Sequence, residues 1–271
     1  MAWPAPAQVE DVRPMAGKAK VPAQAHAGDD QPFLLLANCD PQMFGDGVFE
    51  PMLRRMGLEP LTPACASEAS RLFDGAFFEL HFAEQRALAG RVSNAAWQGV
   101  NRSPALGEAD GVLACVPAGI AAGGRVSACR ELFKLAVLLN DLTGADKIYW
   151  SPAGLWSDGW AFRAAVAEMM ASGMPPVLHL VAFNPSGSNG ALRSQGLAFF
   201  AGQEIEVRNG GGLAVREVLR RMARLAIDVM VNGAILAPRN FPGLVSGERV
   251  QILPTTGGDG AVTLYLSIEV E

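Results

Sequence analysis

The sequence predicts an α+β protein: two ferredoxin-like (split βαβ) units fused side by side, with mixed, mostly antiparallel sheets and helices packed on one face. Three observations carry this. Short apolar runs such as FLLLANC (33–39), DGVLACVP (110–117) and KIYW (147–150) have the length of buried strands. Longer segments at 127–146, 158–173 and 211–233 carry helical periodicity and end at glycines. Between residues 33 and 117 the order strand, helix, strand, strand, helix, strand emerges, which is the split βαβ pattern.

Taken in chain order, residues 1–31 are rich in Pro and Ala and show neither helical nor strand periodicity, so they lack the apolar surface that offsets ordering entropy. They read as a flexible leader. A first unit follows over 32–117 and a second α+β unit over 118–271, the second either separate or one continuous globular domain with the first. FLLLANC is a strand buried on both faces, ended by Asp40 and Pro41. GVFEPMLRRMG (47–57) is a short helix that tolerates Pro51 in its first turn and stops at Gly57. RLFDGAFFELHF (71–82) alternates apolar and polar residues and pairs with RALAGRV (86–92) as a hairpin. SNAAWQGV (93–100) is a brief helix capped by Ser93, and DGVLACVP is another buried strand.

In the second half, Leu132, Phe133, Ala136, Val137 and Leu139 surround more than one side of a helix that must press onto the sheet and that Gly144 ends. KIYW is a strand, DGWAFRAAVAEMMASG (158–173) an amphipathic helix closed at Gly173, and PVLHLVAF (176–183) a strand. FNPSGSNGALRSQGLAFFAGQEIEV (183–207) has Ser, Gly and Asn at its tip and no G-x-G-x-x-G spacing. It therefore reads as a hairpin rather than a phosphate cradle. Val218, Leu219, Met222, Leu225, Ala226 and Val229 form one stripe of a long helix, with Glu217–Arg221 and Arg224–Asp228 at i,i+4 spacing on its exposed side. The last two dozen residues are two strands joined by a Gly-rich turn.

Composition excludes several functions. A net charge of -5 gives no general attraction to nucleic acid or anionic membranes, and no apolar stretch is long enough to span a bilayer. The start of the chain has no basic, then apolar, signal pattern, so a reducing bacterial cytoplasm is expected. Cys39, Cys65, Cys115 and Cys129 are widely spaced with no ligand-spaced His, so no metal, redox motif or cofactor is implied.

Chemistry-bearing residues are few. His81 with Glu79 and Glu84 is the one local His and carboxylate cluster, a conceivable general acid/base site that surface strands also carry routinely. His179 has the setting of a core histidine with its ring hydrogen-bonded internally. Cys39 sits at a strand end, but no Arg or His is spaced to activate it. Ser186 and Ser188 lie outside any G-x-S-x-G elbow, and Gly210, Gly211 and Gly212 precede a helix without the P-loop Lys and Ser or Thr. Tyr149, Trp150, Trp156 and Trp160 form an aromatic cluster that either lines a contact surface or plugs the core. Arg216, Arg220 and Arg224 make a cationic stripe that meets an acidic partner or simply faces solvent.

The segments GVLACVP, KLAVLLNDLTGADKIYWSPAGLW, SQGLAFFAGQEIEV and VSGERVQIL together resemble the bacterial domain-of-unknown-function family 4261, across most of residues 33–270. Members tend to have FG before an ELEV-like run, where this chain has Phe200, Ala201 and Gly202. The resemblance implies a cytoplasmic bacterial α+β protein and assigns no catalytic residue. The expectation is a non-catalytic binding or protein-interaction module for an unknown protein or small molecule, with contacts at Tyr149, Trp150, Trp156 and Trp160. The alternatives are a hydrolase or transferase built around His81, and a homo-oligomeric structural protein pairing through open sheet edges.

Overall fold

The computed structural model describes residues 32–40, 48–60, 70–73, 76–82, 96–97, 112–117, 126–186, 191–209, 212–258 and 260–270. The expected leader at 1–31, the strand at 86–92, Cys65, Glu84, Ser188, Gly210 and Gly211 lie outside them.

The described residues form two sheets. The first has eight strands: β1 (Leu34–Ala37), β2 (Glu59–Pro60), β3 (Ser70–Phe73), β4 (Ala76–Phe82), β5 (Ala96–Trp97), β6 (Val112–Pro117), β7 (Lys147–Trp150) and β8 (Leu155–Asp158). Their spatial order is β2-β3-β4-β6-β1-β7-β8-β5. The second comprises β9 (Ala182–Ser186), β10 (Ala191–Gln195), β11 (Gln203–Asn209), β12 (Arg239–Pro242), β13 (Glu248–Thr256) and β14 (Val262–Val270), ordered β12-β13-β14-β11-β10-β9. Every pair is antiparallel except β5 with β8 and β11 with β14, so the α+β class with mixed, mostly antiparallel sheets holds.

β1 shows why a run of leucines makes a central strand. Leu34 faces Cys115 of β6 and Trp150 of β7, and Leu35 faces Ala114 and Tyr149. Successive side chains point to opposite faces, and Leu34, Leu35 and Leu36 are all fully buried, so both faces are covered. On one face lies α2 (Val126–Thr143), whose Leu132, Phe133, Leu135, Ala136 and Leu139 are solvent-free. Phe133 stands edge-on to Trp150 at 5.6 Å and to Phe162 of α3 (Gly159–Ser172) at 6.2 Å. Asp158 caps α3 by accepting from the Ala161 N–H at 2.9 Å, which fixes where the strand ends and the helix begins.

The apolar core runs on from β1 to β14 through α4 (Val177–Leu180), α5 (Leu197–Ala201) and α6 (Val215–Asn232). α4 packs on β8 and α6, and α5 packs on the 3-10 turn Ser151–Ala153 that follows β7. α1 (Phe49–Arg55) ends before Gly57, with Pro51 in its first turn.

Four local expectations change. PVLHLVAF is not one strand: Val177–Leu180 is a single helical turn, because Pro175 and Pro176 turn the chain and the Pro176 carbonyl accepts from the His179 N–H at 2.9 Å. Ala96 and Trp97 form a strand, not a helix, because they pair in parallel with Leu155 and Trp156. β4 forms its hairpin with β3, through the Phe73–Ala76 closure, whereas RALAGRV lies outside the described residues. The segment 183–207 does reverse as a β hairpin, β9 on β10, but it then inserts α5 before β11.

Candidate functional site

The four aromatic residues do not form one surface. Trp150 is 1% exposed and packs with Phe133, Phe199 and Phe200 on the α2 side of the sheet. Tyr149 and Trp156 are cross-strand partners on the opposite face, centroids 5.1 Å apart, and both are buried. Trp160 alone reaches solvent, at 76% exposure, on the first turn of α3 with the Arg163 guanidinium over its ring at 5.6 Å. Period-two alternation along β7 and β8 is what separates residues that look clustered in the sequence.

Nor do the candidates for an enzyme converge. His81 lies on β4 in the row that crosses Ala114 and Leu35. Cys39 sits four residues beyond Leu35 and two strands away, a backbone separation of about 16 Å from strand rise and spacing. The Cys39 thiol is buried, donates to the Leu36 carbonyl at 3.5 Å, and has its pKa raised chiefly by desolvation, the opposite of an activated nucleophile. Cys115 and Cys129 are likewise buried and raised, the latter to about 12. His179 does hydrogen-bond internally: its Nδ1 meets the Ser157 Oγ at 2.9 Å, and burial lowers its pKa to about 4. Ser157 is 2% exposed on β8, so this Ser–His pair closes the core rather than presenting a nucleophile. Among the described residues no group of three or more His, Cys, Asp or Glu is placed to hold a metal ion.

The turn from β10 into α5 is closed by a carboxylate of the chain itself. Glu204 Oε1 accepts from the backbone N–H of Gly196 at 2.9 Å and of Ala198 at 3.0 Å, and its Oε2 accepts from the Ser194 hydroxyl. Ser194 Oγ in turn accepts from the Ile205 N–H at 2.7 Å. The N–H groups that open α5 are therefore satisfied by a carboxylate from the next strand. Gly196 has φ +96°, and a Cβ there would stand 2.8 Å from Ala153, so only glycine fits the approach.

A different surface has the geometry of a binding site: the groove between α6 and the hairpin β12–β13. Its floor rests on Arg221, which the sequence places on the exposed side of α6 and the structure buries at 5% exposure. The correction has a legible cause. Residues 218, 221, 222, 225 and 229 share one helical face, so Arg221 falls inside the apolar stripe. Its Nε and Nη2 each donate to Glu248 at 2.5 Å, and its Nη1 donates to the Glu217 carbonyl at 2.7 Å. Gly243 stacks directly on the Glu248 side chain and leaves no room for a Cβ.

The expected Glu217–Arg221 pair forms, with Arg221 Nη1 3.3 Å from Glu217 Oε2, whereas the expected Arg224–Asp228 pair is replaced. Asp228 takes Arg239 at 2.6 Å and the Asn232 amide at 2.8 Å, and Arg239 lies over the Phe241 ring at 4.1 Å. Arg224 reaches across to the Gly243 carbonyl at 3.3 Å. Arg221, Arg224, Leu225 and Asp228 line the groove on one side. Phe241, Pro242, Gly243, Leu244, Val250 and Ile252 line the other, around an empty volume of about 480 Å³ open to solvent.

No family model, curated protein or solved structure matches this chain.

Chemically, then, the groove offers a buried apolar floor, one cation without a carboxylate partner, and a lip on which Leu244 and Val245 are 42% and 56% exposed. Among the described residues that line it, the carboxylate Asp228 is held by Arg239 and Asn232. β12 and the loop 243–247 carried no periodicity in the sequence, so nothing there pointed to the groove.

Proposed function

We propose that the protein is a non-catalytic binding or protein-interaction module and that it receives its partner in the groove between α6 and the β12–β13 hairpin. The observation that carries the reading is the pairing of exposed apolar residues, Leu244 and Val245, with a rigid floor anchored by the Arg221–Glu248 ion pair. Preorganised walls lower the ordering cost of association, which is how a small surface acquires useful affinity. The free, buried thiols of Cys39, Cys115 and Cys129 support a reducing bacterial cytoplasm as its compartment. No helix among the described residues is long and apolar enough to cross a membrane.

Membership of family 4261 and the fusion of two ferredoxin-like units, over 32–117 and 118–271, belong to the same proposal. The segment SQGLAFFAGQEIEV carries the first by its sequence. The oligomer reading is weaker on this structure. Both edge strands of the second sheet, β9 and β12, contain a proline, Pro185 and Pro242, which removes a donor where another strand would pair.

Selection of phage-displayed peptides on the wild-type chain, with counter-selection on Leu244→Asp, tests the function. Leu244 is exposed, so the variant keeps the wild-type melting temperature. Peptides that bind the wild type and not the variant support the groove. A pool that binds both equally removes it.

A further inference from the structure

We propose that the groove takes an acidic peptide segment, which inserts one bulky apolar side chain between α6 and the β12–β13 hairpin and lays its carboxylates on Arg216 and Arg224. The inference rests on the binding-module reading and adds the chemistry of the partner.

Charge complementarity is the argument. The chain as a whole carries -5, yet the helix face that runs up from the groove is cationic. Arg239 is held by Asp228 at 2.6 Å and Arg220 by Glu217 at 3.0 Å, so those charges are compensated within the molecule. Arg224 has only the Gly243 carbonyl at 3.3 Å, and Arg216 forms no ion pair among the described residues. Two exposed guanidinium groups thus bracket the compensated one on a single stripe, with the apolar opening beside Arg224.

A carboxylate docked on a guanidinium makes charge-assisted, bidentate hydrogen bonds, stronger than those an uncharged acceptor makes. Arg216 and Arg224, eight residues apart on the helix, are about 12 Å apart. Carboxylates four positions apart in an extended segment are about 13 Å apart and match that spacing. Leu225, Val250 and Ile252 give the opening an apolar lining for the bulky apolar side chain to cover. An acidic segment with a Phe or Leu anchor satisfies both features at once. A nucleic acid satisfies the charge and leaves the apolar floor empty, and the aromatic ring in the lining, Phe241, already has Arg239 over one of its faces.

The test uses fluorescence anisotropy on the full chain with a labelled peptide of alternating Asp and Ser around one central Phe. Three comparison probes complete it: the peptide with Phe replaced by Ser, the peptide with Asp replaced by Lys, and oligothymidylate. The expected result is binding of the acidic Phe peptide alone, weakened by added salt. Arg216→Glu with Arg224→Glu lowers the affinity about tenfold or more, as loss of two charge-assisted contacts requires. Leu244→Ser weakens it as well, and both variants melt like the wild type.

If the Lys peptide binds as well as the acidic one and both are lost in Leu244→Ser, the acidic partner is overturned while the groove reading stands. Equal binding of oligothymidylate overturns the peptide in favour of a polyanion surface. Absence of binding by every probe overturns the proposal, and the phage selection then reports separately on the groove.

Discussion

Arg221 and Glu248 face each other through two parallel hydrogen bonds of 2.5 Å, on side chains that are 4% and 0% exposed. The pair joins the middle of α6 to the first residue of β13, 27 positions apart, and so sets the width of the groove above it. Removing one partner leaves the other charged and buried. Arg221→Met alone or Glu248→Leu alone is therefore expected to cost about 3–5 kcal/mol in urea denaturation. The double variant costs less than the sum, since no lone charge remains; strict additivity would refute the pairing.

The same contact has a pH signature. Hydrogen bonding to Arg221 holds the Glu248 carboxyl below the usual glutamate range. A depressed folded pKa contributes stability that is present above the unfolded value, about 4.3, and is lost as pH falls through the folded value. Wild type should thus lose stability below about pH 4.3 faster than Glu248→Gln does. Parallel acid titrations followed by circular dichroism in which both proteins lose structure over the same pH range would disprove this.

His179 titrates in a different window. Its folded pKa, about 4, lies below the unfolded value of about 6.5, with desolvation outweighing the nearby Asp158 charge that favours the cation. Above pH 6.5 it is neutral in both states and contributes no pH dependence; between about 6.5 and 4 only the unfolded chain gains the proton, so stability falls as pH falls. His179→Gln, which keeps a hydrogen bond to Ser157, should flatten that part of the profile by the equivalent of one proton. Urea melts at pH 7.5 and 4.5 that fall in parallel for both proteins would contradict it.

Glu204→Ala strands the Gly196 and Ala198 N–H groups and the Ser194 hydroxyl, for an expected cost of about 1–3 kcal/mol. Gly196→Ala costs a similar amount by a different route, since φ +96° and the 2.8 Å approach to Ala153 both oppose a side chain. Hydrogen exchange should show early opening confined to β10 and α5 in either variant. Uniform protection would argue against a local knot.

The aromatic residues separate cleanly by burial. Trp150→Ala should cost about 3–5 kcal/mol, and Trp160→Ala should stay within about 0.5 kcal/mol. Thermal melts decide this directly.

Much of the fold was readable without coordinates, because its signals are local. Leu34–Ala37, KIYW, the helices from Val126, Gly159 and Val215, and the reversal of β9 onto β10 all follow from apolar period, caps and turn residues within a few positions. Where reading went astray, a distant partner intervened. Ala96 and Trp97 look helical until β8 offers them a ladder, and Pro175 and Pro176 divert a run that otherwise alternates like a strand.

The candidate site is the stronger case. Composition and spacing by themselves determined that this is an α+β chain with few residues suited to chemistry, because those properties depend on the count and period of side chains. Only the tertiary structure decided that Arg221 is a buried anchor, that Glu204 fills the anion seat beside Gly196, and that Tyr149 and Trp150 look in opposite directions. Charges and rings take their roles from what lies across a sheet or a helix interface. That neighbour is chosen by the packing of segments far apart in the chain, where Glu248 meets Arg221 only once β13 has docked beside α6.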